Sequence, residues 1–238
     1  MKNGTLYGIG VGPGDPELIT LKAVKILKTM DVVFAAASTK NSHSLAMEIV
    51  SPHLKKDIPV VRLGFPMTRD QNTLNMAWQE NARKVVDTLK DGKDAAFITL
   101  GDPMFYSTFG YVMRTIKETS HDIPIKIIPG ITSYQAGAAA SGRVLAEAEE
   151  SFTVISGALG AEKLKQAINY TDNLVILKVY RNYREIMGAL EEMGLTSKAI
   201  LISRCGLDGE EIVYDLKKRP ETTPSYLSLL LTRKGKSR

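Results

Sequence analysis

Apolar residues fall in two spacings along this chain, and their alternation predicts its architecture. Continuous apolar runs over residues 5–11, 31–35, 58–63, 95–100 and 125–128 read as strands, with helical spacing between them. In residues 18–30, Lys22, Lys25 and Lys28 recur as a solvent face while Leu18, Leu21, Val24 and Leu27 cover the other side. Residues 71–90 and 106–118 read as longer helices, and the small-residue stretch 136–140 as a short, closely packed one. Strand and helix in alternation are the signature of parallel βαβ units. Beyond residue 141 the pattern lapses into Gly, Arg and acidic residues, a link before a second half. That half has strands at 152–155, 174–179, 199–203, 211–214 and 226–232, and helices near 161–169 and 182–193. Its last connections are short enough for antiparallel pairing. The expectation is an α/β protein of two α/β domains with a cleft between them. Residues 1–141 would hold a mostly parallel sheet, 142–150 a linker and 151–238 a mixed sheet.

Composition narrows the class. The chain has 238 residues, 44% of them hydrophobic, which is ordinary for a soluble globular protein. No apolar run approaches the roughly 18 residues of a membrane span, and the start shows no basic-then-apolar leader, so a cytoplasmic protein without membrane contact is expected. The single Cys205 excludes an internal disulfide framework, and His43, His53 and His121 supply no metal-ligand spacing. The net charge of +5 is concentrated at one end, in Arg233, Lys234, Lys236 and Arg238. Without those four, 27 of the 31 basic side chains stand against 26 acidic ones, so the body is nearly neutral and argues against a nucleic-acid partner.

The chemistry begins in Tyr7-Gly8-Ile9-Gly10-Val11-Gly12-Pro13-Gly14-Asp15-Pro16. Four glycines in seven positions allow left-handed backbone and close approach to a ligand. The dinucleotide fingerprint needs a glycine three places after its second, and those places hold Pro13 or Asp15. A P-loop needs Gly-Lys-Ser/Thr where this loop has Gly14-Asp15-Pro16. Both phosphate readings weaken. Taken alone, the residues also fit a strand-to-helix turn in which Asp15 caps a helix opened by Pro16.

Two further glycine turns follow predicted strands: Leu100-Gly101-Asp102-Pro103-Met104-Phe105-Tyr106-Ser107-Thr108 and Pro129-Gly130-Ile131-Thr132-Ser133. One such turn is common loop chemistry; three at one edge of one sheet favour a ligand site at the carboxyl ends of the strands. A fourth segment, residues 62–70, mixes apolar surface with Arg62 and Arg69, which suits a large flat ligand carrying carboxylates, or else is a loop in which Thr68 or Asp70 caps the next helix.

In matching order, the Gly-x-Gly-Pro-Gly-Asp start, the Gly-Asp-Pro and the Pro-Gly-Ile-Thr-Ser resemble the tetrapyrrole (corrin/porphyrin) methylases. The resemblance runs over essentially the whole chain, including Val154-Ile155-Ser156-Gly157 and Leu177-Lys178-Val179-Tyr180. Phe65-Pro66-Met67-Thr68-Arg69-Asp70, with Ser38-Thr39-Lys40, resembles the branch that methylates C20 of precorrin-2 or its cobalt form in cobalamin biosynthesis. The resemblance implies a class III fold with S-adenosylmethionine (AdoMet) held folded between the domains. Gly101, Asp102, Met104, Ser107, Thr132, Ser133 and Lys178 would contact it, largely through backbone groups, with Pro13 and its neighbours at the reacting centre. It also implies a homodimer.

On that reading the protein holds a sulfonium methyl group against a meso carbon, a positioning task worth roughly 7–11 kcal/mol at best. Asp15 is the candidate base for the C20 proton, and Lys40, Arg62 and Arg69 are candidate partners for the substrate's carboxylates. Other readings stay open: another ring position, uroporphyrinogen-III methylation, relatives that modify ribosomal RNA or diphthamide, or a module that binds AdoMet or a tetrapyrrole without turnover.

Overall fold

Strands that are apolar on both faces can only be buried between two helical layers, and the first half of the chain is built that way. The computed structural model describes residues 2–38, 45–218 and 222–234. Contacts divide the chain into two compact units, Met1–Thr132 and Ser133–Arg238.

The first unit runs β1 (Leu6–Gly10), α1 (Leu21–Leu27), β2 (Val32–Ser38), α2 (Leu45–Val50), β3 (Val60–Phe65), α3 (Gln71–Lys90), β4 (Ala95–Thr99), α4 (Phe109–Thr119) and β5 (Ile125–Ile128). Its sheet has the order β3-β2-β4-β1-β5, with every strand pair parallel. The period-two geometry of a strand then sends alternate residues to opposite faces. On one face Val32, Phe34, Ala95 and Phe97 pack with Val85 and Leu89 of α3 and Phe109, Val112 and Ile116 of α4. On the other, Val33, Ala35, Ala96 and Ile98 pack with Ala23 and Leu27 of α1 and Ile49 and Val50 of α2.

The second unit runs α5 (Ser133–Ser141), β6 (Phe152–Ser156), α6 (Glu162–Ala167), β7 (Asn173–Leu177), α7 (Tyr183–Glu192), β8 (Ala199–Ser203), β9 (Glu211–Val213) and β10 (Ser228–Arg233). Its order is β6-β7-β10-β8-β9, parallel between β6 and β7 and antiparallel elsewhere. Leu174, Ile176, Leu201 and Leu230 pack one face against α6 and α7. On the opposite face α5 lies on β8 and β10, with Gly137 against Ile202 and Leu229.

The pattern of elements matches the expected α/β fold, with a parallel and a mixed sheet, and differs in places that have physical reasons. The helix expected over 18–30 is broken. Asp15 caps a separate 3-10 turn at Pro16–Leu18, and α1 starts afresh behind its own cap, Thr20, whose hydroxyl accepts from the Ala23 N–H at 3.2 Å. The buried stripe is therefore Ala23, Leu27 and Met30, and Leu21 is 80% exposed. The short helix α2 was not distinguished from its surroundings. The helix α5 extends over nine residues and sits with the second unit instead of the first, because it packs on β8 and β10.

Candidate active site

Parallel strands place all their outgoing turns at one edge of a sheet. In the first unit β1 leads to β2, beyond β4 on one side, while β4 leads to β5, beyond β1 on the other. Neighbouring strands whose connections leave in opposite directions open a crevice beyond their carboxyl ends, the place where open α/β sheets bind ligands.

The turns after β1 and β4 meet there through backbone hydrogen bonds, and the turn after β5 packs closely against both. The Gly101 N–H donates to the Gly12 carbonyl at 2.7 Å, and the Gly12 N–H donates to the Gly101 carbonyl at 3.4 Å. Both glycines are left-handed, with φ of 88° and 72°. A Cβ at Gly10 would lie 2.5 Å from the Gly101 carbonyl oxygen and 2.6 Å from the Gly130 nitrogen, and a Cβ at Gly130 would lie 2.2 Å from that same oxygen. The floor of the crevice is thus peptide groups, packed too closely for a side chain at Gly10 and Gly130. Pro13 and Gly14 are buried beside it.

Two side chains fasten the turn after β4. The carboxylate of Asp102 accepts from the Met104 N–H at 2.8 Å with Oδ1 and from the Gly130 N–H at 3.0 Å with Oδ2. The Ser107 hydroxyl donates to Thr99 Oγ1 at 3.0 Å and accepts from the Phe109 N–H at 3.1 Å, so α4 starts at Phe109 and not at Tyr106 as expected. Between these anchors Met104 and Tyr106 stand about half exposed, and Tyr106 takes a left-handed φ of 49° that an aromatic residue adopts only under constraint.

Of the residues expected to meet, Pro13, Gly101, Asp102, Met104 and Ser107 lie at this strand end, and Thr132 is buried just past the turn after β5. Asp15 is the N-cap of Pro16–Leu18, accepting from the Glu17 N–H at 2.8 Å. Ser133 and Lys178 belong to the second unit. Ser133 opens α5, and Lys178 follows β7 with a left-handed φ of 57°. Burial pushes the Lys178 ammonium below the usual lysine pKa, and the charge of Arg181 adds to that. Arg181 in turn lies over the ring of Tyr180, a cation that sequence spacing did not single out.

Two of the expected cations fall among the described residues, both on or just past β3. Strand β3 runs on to Phe65, two residues past its expected end, and Arg62 lies within this edge strand, opposite Ala35. Arg69 is exposed past the carboxyl end of β3. Asp70 caps α3, held below the usual carboxylate range chiefly by the Thr73 hydroxyl at 2.5 Å, with the Thr73 N–H at 2.8 Å. Lys40 lies outside the described residues. Among the described residues no group of three or more His, Cys, Asp or Glu could hold a metal ion.

The feature that sequence spacing missed is the bond from Asp102 to a turn 28 residues further on. Its signal was present as a carboxylate directly after a strand-ending glycine, but nothing local says which amide it reaches.

Residues 5–218 match the Tetrapyrrole (Corrin/Porphyrin) Methylases. The chain is 35% identical over 233 residues to the cobalt-precorrin-2 C(20)-methyltransferase of Salmonella typhimurium, covering 98% of this chain and 97% of that one. It is 29% identical to a precorrin-2 C(20)-methyltransferase from Sinorhizobium, covering 99% and 97%. A solved uroporphyrin-III C-methyltransferase from Thermus thermophilus, complexed with S-adenosylhomocysteine, aligns with a TM-score of 0.69 at 23% identity, over 97% of this chain and 92% of that one.

Proposed function

Because the chain belongs to the tetrapyrrole (corrin/porphyrin) methylases, we propose that it is an AdoMet-dependent C-methyltransferase acting on C20 of precorrin-2 or its cobalt form, in cobalamin biosynthesis. The greater identity to the relative named for the cobalt form favours the cobalt-bearing substrate. The observation that carries the proposal from this chain's own residues is the peptide floor made by Gly10, Gly12, Gly101 and Gly130. A cradle without side chains lets a ligand lie against backbone groups, and the glycines of its first turn match neither the dinucleotide fingerprint nor the P-loop. That fits a donor recognised through peptide groups, and the S-adenosylhomocysteine bound by the Thermus thermophilus relative supports the same reading.

Bound AdoMet would supply an electrophilic methyl group on a good leaving group. The task left to the protein is orientation. Gly101, Met104, Ser107 and Thr132 would contact the donor from the first unit, with Asp102 holding their turns in place and Pro13 at the reacting centre. For Ser133 and Lys178 the assignment rests on the family resemblance. Asp15 is the carboxylate at the exit of the first glycine turn and is the proposed acceptor of the C20 proton, since its cap uses Oδ1 and its other oxygen makes no hydrogen bond among the described residues. Arg62 and Arg69, with Lys40, would meet substrate carboxylates.

Incubation with methyl-labelled AdoMet and a panel of metal-free and cobalt-bearing tetrapyrroles, with the new methyl located by NMR, tests the proposal. Label on C20 of precorrin-2 or its cobalt form is expected. Label elsewhere overturns the position, and binding of both substrates without transfer in a single turnover overturns the enzyme. Asp15→Asn should lose turnover with AdoMet still bound; unchanged turnover removes the base role. Arg69→Ala should raise the tetrapyrrole KM more than it lowers kcat. Among the described residues no helix is long and apolar enough to cross a membrane. A cytoplasmic homodimer acting on a small anionic substrate, not on nucleic acid, completes the proposal, and light scattering tests the dimer.

A further inference from the structure

Glycine turns allow close approach but are loose by nature, since glycine surrenders more conformational freedom on ordering than any other residue. The floor of the crevice therefore needs something to fix it, and beyond the backbone bonds between Gly12 and Gly101 a side chain spans two of the turns. Asp102 accepts from Met104 within its own turn and from Gly130 in the turn after β5. Gly130 has no side chain to pack, and a methyl on its Cα would lie 2.2 Å from the Gly101 carbonyl oxygen. Its amide is the handle by which the turn can be held.

A carboxylate suits this task because it is an acceptor at both oxygens, so each turn receives its own oxygen, and bonds from amides to an ionised group are the stronger kind. An asparagine of the same shape can satisfy one turn only. Its NH2 group would face the N–H of the other, donor against donor.

From these contacts we infer that Asp102 is a positioning residue: its carboxylate clamps the turn after β4 to the turn after β5 and sets the spacing of the peptide groups that receive the donor, without itself touching the donor. The inference rests on the proposed reading that these turns hold AdoMet. It gives Asp102 a purpose different from a direct ligand contact, and it separates two properties that a direct contact would join. The clamp exists in the ligand-free protein, and its loss weakens one substrate and spares the other.

The test compares wild type with Asp102→Asn, using S-adenosylhomocysteine as the calorimetric probe. In the ligand-free protein, hydrogen exchange at the Gly130 amide should speed up at least about tenfold in the variant. The dissociation constant for S-adenosylhomocysteine and the KM for AdoMet should each rise about tenfold or more, while the tetrapyrrole KM and kcat at saturating AdoMet stay within about threefold. Unchanged exchange at Gly130 overturns the clamp. Wild-type binding with a variant that binds within about twofold overturns the inference and leaves the function standing. A parallel loss of both substrates together with a large fall in Tm reduces Asp102 to general stability and also overturns it. Wild type that does not bind the probe at all overturns the proposed function, and this inference with it.

Discussion

The two units of this chain each build a five-stranded sheet, and they finish their strands in opposite ways. In the first, all strands run in parallel, so the turns after β1, β4 and β5 arrive at one edge, where peptide groups touch peptide groups and the Asp102 carboxylate ties two of the turns. In the second, β10 runs antiparallel between β7 and β8, and the strand ends are tied by side chains. Ser203 and Ser228 share a hydrogen bond at 2.8 Å, Asn182 donates to the Gly157 carbonyl at 2.8 Å, and Glu185 accepts from the Ala161 N–H at 2.8 Å. Parallel pairing concentrates turns and leaves an open backbone surface that a ligand can use. Antiparallel pairing spreads them and lets side chains fill the ends.

The contrast breaks most sharply at glycine. Gly130→Ala should cost more than about 4 kcal/mol, because its methyl would meet the Gly101 carbonyl, backbone that cannot swing aside. Urea unfolding measures it, and a loss below about 1 kcal/mol would show the floor to be looser than described. Next comes the core of the second unit. Leu230→Ala, at a fully buried site, should cost about 2–5 kcal/mol, with hydrogen exchange rising in β7, β8 and β10. Gly188 of α7 reverses the sign. It is exposed, mid-helix, and nothing lies within 4 Å of where its Cβ would stand, so Gly188→Ala should stabilise by about 0.5–1 kcal/mol. A destabilising result would mean that Gly188 is not the free, solvent-facing helix position described.

The smallest effect concerns pH. Hydrogen bonds from the Arg233 guanidinium and then from Asn173 hold the Glu150 carboxyl below the ordinary value of 4.5. A lowered folded-state pKa means that the stabilisation is complete above that ordinary value and fades as the pH falls through the lowered one. Denaturant midpoints taken between about pH 6 and pH 3 should therefore drop less steeply in Glu150→Gln than in wild type. Identical slopes would remove this tie from the second unit.

How far the fold was legible depended on whether a signal was local. Residues 71–90, 125–128 and 199–203 coincide with α3, β5 and β8, because continuous or periodic apolar runs there end at chain breakers and caps such as Asp70. Leu21 was misplaced because a three-residue repeat of lysines resembles a helix face until the true start of the helix, set by Thr20, fixes the phase. The end of β3 falls two residues later than expected, because the strand continues through Gly64, whose carbonyl is held by the buried Asn81 at 2.8 Å. Tyr106 was read as helical because its left-handed backbone follows from the Ser107 and Asp102 bonds on either side of it.

What the sequence alone determined was the succession of elements and the places where strands end in glycine, because propensity, capping and periodicity act over a few neighbours. Only the tertiary structure decided the strand order that lays β1 between β4 and β5, and with it which glycine meets which carbonyl. A missing Cβ is a local permission. Its use depends on the backbone that arrives from elsewhere in the chain, here a peptide group from Gly101 and one from Gly130, joined by a carboxylate that reads as an ordinary turn residue until its second partner is seen.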